Sequence, residues 1–322
     1  MLALGSDASL DGLNITCIGP NLLFLIKLWN NAHFSLAMAS MMWAGHTIVA
    51  RLSVGEVSPM LMMGLRWLTC VTILWVIYHR QLRIEFSKVR ARLGWVALMG
   101  GAGMAGFTAF FLLAAQYTTA VNLGITQSSI PALVMLISLV LFGIRISRLQ
   151  LAGLALSLVG VVVLVSGGQL EVLRAMQFNV GDILMLVACL CYGGYTAGLG
   201  RRIAMPAVLM LSFFAVPATL VLGVLVAVEY WQGALVLPSV KGLAYVGYSA
   251  IFPSMLAQIF FMRGVEIAGA NRAGLYVNLV PVFSAFMAVL FLAETLYIYH
   301  GISLAMVLGG IYLADRHKSQ LR

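Results

Sequence analysis

A chain of 322 residues with 62% hydrophobic and only 9% charged side chains is excluded from the soluble globular class, where about 25% are charged. Its 19 Lys and Arg against 10 Asp and Glu leave a formal charge of +9. In so apolar a chain that excess marks cytoplasmic loops and not a nucleic-acid surface. Cys17, Cys70, Cys189 and Cys191 have no zinc-like spacing and imply no disulfide framework.

Residues 1–32 form an N-terminal lead-in, with Asp7 and Asp11 ahead of a short apolar stretch around Lys27. Acids stand where a signal peptide carries a basic n-region, and the stretch is too short to span a bilayer. A cytoplasmic or interfacial lead-in is expected. Ten apolar runs follow, at 33–50, 59–78, 94–114, 119–143, 149–166, 180–199, 206–228, 241–262, 270–292 and 297–314. Each approaches the ~20 residues that cross a hydrocarbon core as a helix. The fold class expected is all-α integral membrane, with ten transmembrane helices.

Basic residues orient the bundle. With the N-terminus cytoplasmic, the inner loops and tails collect Lys27, Arg80, Arg83, Lys88, Arg90, Arg92, Arg145, Arg148, Arg201, Arg202, Arg263, Arg316, Lys318 and Arg322. The outer loops hold only Arg51, Arg174 and Lys241. This bias puts both termini inside, including the tail 315–322.

The run from 120 to 143 returns 150 residues later. Ala120, Gly124 and Pro131 match Ala270, Gly274 and Pro281 without a gap. The same offset pairs Phe110 and Phe111 with Phe260 and Phe261, and Gly160 with Gly310. At an offset of 149, Trp43-Ala-Gly-His-Thr47 aligns with Tyr192-Gly-Gly-Tyr-Thr196. Two units are expected, 33–166 and 180–314. Five helices per unit is an odd number, so the second enters the membrane inverted. Inverted repeats are a signature of secondary transporters, with the substrate near the midplane at the repeat interface.

Ten helices in two halves, the aromatic-x-Gly-x-Thr of helices 1 and 6, and the Gly- and Pro-containing helices 4 and 9 resemble the drug/metabolite transporter superfamily with tandem EamA-type halves. Within it the chain resembles the YddG-type aromatic amino-acid exporters. The resemblance implies a bacterial inner-membrane protein with a central cavity lined by helices 1–4 and 6–9, and with helices 5 and 10 outside it.

Polar groups in the hydrocarbon region cost free energy unless satisfied or functional. The substrate-cavity candidates are Trp43, His46, Arg66, Gln127, Ser128, Tyr192, Tyr195, Gln258, Tyr276 and Asn278. Around a neighbouring Pro131 or Pro281, with Gly124 and Gly274, helices 4 and 9 can hinge or simply bend. No Asp or Glu falls at mid-membrane depth; Asp182, Glu266 and Glu294 sit at helix ends. Proton-coupled cation antiport needs a buried carboxylate, so a neutral, zwitterionic or weakly anionic substrate fits better. His46 is the intramembrane group that titrates near neutral pH. Two glycine patterns read as packing: Gly100–Gly106 in helix 3 and a Gly301, Ala305, Gly309 stripe in helix 10.

The reading is a secondary transporter exporting small metabolites, amino acids including aromatic ones first, by alternating access. Its partners are a small-molecule substrate and the lipid bilayer, with no nucleic acid, cofactor or metal. Monomer and homodimer stay open. The alternative on the same fold carries phosphorylated or nucleotide sugars, which want two or more cavity cations. A scaffold or scramblase is the alternative class. No HExxH, membrane Asp pair or Ser with a base in helical register supports an enzyme.

Overall fold

The structure, a computed structural model, describes residues 26–316. Most of the lead-in and the end of the tail therefore lie outside the described residues. Ten long helices run through the chain: α1 Ala32–Leu52, α2 Pro59–Arg90, α3 Leu93–Ala114, α4 Ala120–Phe142, α5 Arg148–Val165, α6 Val180–Arg201, α7 Ala207–Trp231, α8 Val240–Ala268, α9 Ala270–Leu292 and α10 Ile298–Asp315. All but α1 are long and apolar enough to cross a membrane by length and composition. The 21-residue α1 has the length, but His33, Ser35, Ser40, His46 and Thr47 dilute its hydropathy. The protein is an all-α membrane protein, as the apolar runs imply.

Local signals set the ends. Asn31 caps α1 by accepting from the Phe34 amide at 3.1 Å. Ser147 with Gln150 and Asn179 with Asp182 make capping boxes on α5 and α6. At the other end, α4 stops at Gly143, with φ of 67°. Its counterpart 150 residues on, Ala293, stops α9 with φ of 55°.

One segment departs from the sequence reading. The basic stretch after residue 78 is not a loop. Following a kink at Tyr78, α2 continues to Arg90. Leu82, Phe86 and Val89 recur at helical spacing; Leu82 and Val89 are buried and the Phe86 ring meets Phe213. The charges occupy the remaining faces of a helix.

The helices pair as the repeat demands. Helix α3 packs on α6 and α7, and its counterpart α8 packs on α1 and α2. Helix α4 packs on α6 as α9 does on α1, while α2–α7, α4–α9 and α5–α10 pair across the internal axis. The α5–α10 contact is a close one, because glycines face each other there. A Cβ on Gly153 would run into the Gly310 carbonyl, and one on Gly160 would meet Ser303 and Met306. The Gly301, Ala305, Gly309 stripe is not the face used. Gly301 meets nothing, and Gly309 meets only the tip of Leu156 at 3.4 Å.

Irregular backbone also comes in pairs. Helices α3 and α8 pass through π-helical turns at Leu98–Gly106 and Ala250–Leu256. Helix α4 breaks at Ser128–Ser129, three residues before Pro131 is cleared, and α9 tightens to a 3₁₀ turn at Tyr276–Asn278 before Pro281. Broken helices at membrane depth are tolerated where protein or a cavity satisfies the freed groups.

Candidate functional site

The site begins at the π turn of α8. Pro253 has no N–H to give to the ladder, and Ser254 Oγ donates to the Ser249 carbonyl at 2.8 Å instead. The Pro253 carbonyl is thereby presented to α1, where Trp43 Nε1 donates to it at 3.1 Å. This bond fixes the indole at the interface of α1 and α6. The Trp43 ring stands edge-on to Tyr192 at 5.9 Å and tilted to Phe261 at 5.2 Å. Tyr192 in turn meets Phe107 at 5.3 Å and Tyr195 at 5.5 Å. The aromatic residues matched across the repeats thus meet in one cluster. Tyr195 donates to Gln258 Oε1 at 3.0 Å. The Tyr192 hydroxyl, on a residue only 7% exposed, makes no well-formed hydrogen bond among the described residues, though the Gln258 side chain lies near it.

One helical turn further along α1 lies a polar cluster. Arg66 Nη1 donates to His46 Nε2 at 2.7 Å. The other ring nitrogen, Nδ1, is 3.2 Å from Ser249 Oγ. A guanidinium that donates to Nε2 requires that nitrogen to be unprotonated. The imidazole is then neutral, with its proton on Nδ1 facing Ser249. Arg66 sits seven residues into α2 from Pro59, roughly 10 Å along its axis, with its guanidinium carbon 5.9 Å from the Trp67 ring centre. It forms no ion pair with a carboxylate among the described residues, and its buried Nε has no partner there. Arg66 is half-buried, and a partly desolvated cation without a counter-charge is held at a cost in free energy.

The other candidates do not converge on this point. Asn278, 1% exposed, donates to Ser157 of α5 at 2.9 Å and so faces outward, away from α1. The 3₁₀ turn rotates it there. Ser128 returns its hydroxyl to the Ile125 carbonyl at 2.6 Å, and half-buried Gln127 lies on α4 near the break. No hydrogen bond joins His46, Gln127 and Asn278 among the described residues, and Asn278 is turned to α5. Tyr276 bonds to His33, and its carbonyl accepts from Ser40 at 2.7 Å. It walls a cavity of about 460 Å³ at the face where α1 starts, lined also by Lys27, Leu36, Arg272 and Asp315. This space lies between α1, α9 and α10, to one side of the aromatic cluster. Gly124 and Gly274 are close-approach positions: a Cβ would come within 3.1 Å of Val165 in the first case and 3.3 Å of Val134 in the second.

Carboxylates hold the helix ends. Asp182 accepts from Thr118 Oγ1 at 2.7 Å, Asn122 Nδ2 at 3.1 Å and the Asn179 amide at 2.8 Å. Glu266 pairs with Arg202 at 2.5 Å and Arg263 at 2.9 Å. Glu294 pairs with Arg51 at 2.7 Å. The sequence reading missed Glu229, which is 7% exposed in the last turn of α7. It accepts from Ser58 Oγ at 2.7 Å and from the Met60 and Leu61 amides at 3.1 and 3.0 Å, closing the open N-terminus of α2. Its one sequence signal is an acid just past the end of an apolar run. Ser249 had no signal of its own; the π turn delivers it to His46.

Two inverted five-helix units with paired broken helices around a central cluster define a membrane transporter of the inverted-repeat kind. The model of the EamA-like transporter family matches residues 30–166 and 179–314, and the chain belongs to that family. It is similar to an uncharacterized transporter of Archaeoglobus fulgidus, 28% identical over 90% of this chain and 99% of that protein. It is also similar to the uncharacterized transporter YyaM of Bacillus subtilis, 23% identical over 83% of this chain and 88% of that one. The uncharacterized inner membrane transporter YedA of Escherichia coli is 24% identical over 86% and 88%. A solved crystal structure superposes with a TM-score of 0.73 at 20% identity, covering 89% of this chain and 99% of the other, which speaks to fold. The chain is accordingly a multi-pass membrane transporter of small molecules.

Proposed function

We propose that the protein carries amino acids, aromatic ones among them, by alternating access of two inverted units, 33–166 and 180–314, in a bacterial inner membrane with both termini cytoplasmic. The observation that carries this reading is the Arg66 guanidinium, which bonds His46 and no carboxylate among the described residues, one turn of α1 from the Trp43, Tyr192 and Phe261 rings. A substrate carboxylate supplies the missing counter-charge, and Arg is suited to take it in a bidentate pair. The rings offer an apolar side chain faces and edges, and the Tyr192 hydroxyl, which makes no well-formed bond of its own, offers its polar end a partner. Gln258 and Tyr195 line the far side of the same cluster.

Rocking needs flexible points, and the paired breaks near Pro131 and Pro281 are those hinges. A carrier of phosphorylated sugars is the weaker reading, because among the described residues Arg66 is the one permanent cation at this cluster, bonded to His46, and a dianion wants two. The test is counterflow in proteoliposomes preloaded with Trp, Phe or Thr, following labelled amino acid. Saturable exchange supports the reading, and no exchange of any amino acid refutes it.

A further inference from the structure

We propose that His46 and Arg66 form a proton-coupling switch, in which a substrate carboxylate displaces the guanidinium from His46 Nε2 and so opens that nitrogen to one proton. The inference rests on the carboxylate-binding reading above and names the coupling ion of the same site.

The argument is one of hydrogen-bond valence. Nε2 has a single lone pair, and Arg66 Nη1 occupies it at 2.7 Å. Nδ1 already spends its proton on Ser249 at 3.2 Å. While both contacts stand, the imidazole has no place for a second proton. A guanidinium that turns to a bidentate carboxylate vacates Nε2. The carboxylate, now beside both side chains, also offsets the charge of an imidazolium, which next to Arg66 alone would face a like charge. A proton from the aqueous phase then binds Nε2. It leaves on the other side when the substrate departs and Arg66 returns. Empty carrier moves no proton, so the same contact that couples also prevents leak.

Among the described residues no carboxylate pairs with Arg66 or His46, and the titratable group beside them on α2 is the Cys70 thiol. From α2, Arg66, Trp67 and Cys70 face the pair. From α8 come Ser249 and Tyr248, whose hydroxyl packs on Gly45. From α9, Ser284 accepts from Thr47 at 2.9 Å. The charged groups at the same end of the bundle are committed elsewhere: Glu229 to the start of α2, Glu294 to Arg51, and Glu56 to Ser239. Among the described residues, His46 is left as the group able to take the proton.

The experiment uses the full chain in proteoliposomes with a pH-sensitive dye in the lumen. Unlabelled phenylalanine is added outside, and lumenal acidification is read against tracer uptake of the same amino acid. About one proton per phenylalanine is expected, with no acidification when phenylalanine is omitted. An inside-negative potential should speed uptake, because a zwitterion with one proton carries a positive charge. Phenylalanine uptake with an unchanged lumenal pH overturns the switch while leaving the transport reading intact. A second readout uses Arg66→Gln under an imposed pH gradient without amino acid: with Nε2 permanently vacant, proton leak should exceed wild type several-fold. Leak equal to wild type in a variant that retains the wild-type thermal transition contradicts the proposed gating by Arg66.

Discussion

The two repeat units contain an internal experiment on helix termination. Gly143 ends α4 with φ of 67° and ψ of 18°. Ala293, its counterpart, ends α9 with φ of 55° and ψ of 30°. Both are left-handed, yet only glycine reaches that region without crowding its Cβ against the following carbonyl. The strain on a residue with a Cβ is about 1–2 kcal/mol. Glycine recovers it but gives back part through greater freedom in the unfolded chain, about 0.5–1 kcal/mol. Ala293 is exposed, and a Cβ on Gly143 would meet nothing within 4 Å, so packing changes do not enter. Ala293→Gly should therefore stabilise by about 0.5–1 kcal/mol, and Gly143→Ala should destabilise by a similar amount. The assay is thermal unfolding of the detergent-solubilised protein, followed by tryptophan fluorescence, with the two variants side by side. A lower transition for Ala293→Gly, or a shift of the same sign in both variants, would refute the reasoning.

Glu229→Ala removes three hydrogen bonds to a carboxylate and strands two backbone amides of α2. Partial rescue by water at the helix end leaves an expected loss near ~3 kcal/mol, seen as a markedly lower unfolding temperature; Glu229→Gln, which keeps one acceptor, should fall between. Gly310→Ala drives a Cβ into the Gly153 carbonyl and to 2.9 Å from the Ser157 amide, so separation of α5 from α10 should cost about 1–3 kcal/mol in the same assay, whereas Gly301→Ala should be silent. The Arg51–Glu294 pair is well exposed. A double-mutant cycle on it should return a coupling below about 1 kcal/mol that fades with added salt.

Ten apolar runs and the 150-residue offset were enough to place the spans, because burying a helix in lipid writes its demand along the whole segment. Helix α2 shows the limit. A run ending at 78 and a cluster of five basic residues suggest a loop, although Leu82, Phe86 and Val89 at helical spacing carried the opposite message. The glycine stripe of α10 was misjudged for a subtler reason. Gly301, Ala305 and Gly309 share a face, but each residue turns a helix by about 100°, and the face against α5 is the one holding Ser303, Val307 and Gly310. Asn278 donates to Ser157 of α5 from within a 3₁₀ turn, a side-chain direction that α-helical phasing alone does not give. The π turns at Leu98–Gly106 and Ala250–Leu256 have no local code beyond small residues and Pro253. Their paired occurrence belongs to packing between the units, and with it the meeting of Ser249 with His46. The pairing of His46 with Arg66 lay 20 positions apart on different helices, out of reach of any spacing argument.

The central claim is that a carboxylate is what Arg66 awaits. Competition in counterflow tests it most directly: labelled phenylalanine exchange is measured against excess 3-phenylpropionate, which keeps ring and carboxylate, and against phenethylamine, which keeps ring and amine. The account predicts inhibition by 3-phenylpropionate and none by phenethylamine. Equal inhibition by the amine, or inhibition by the amine alone, would contradict it.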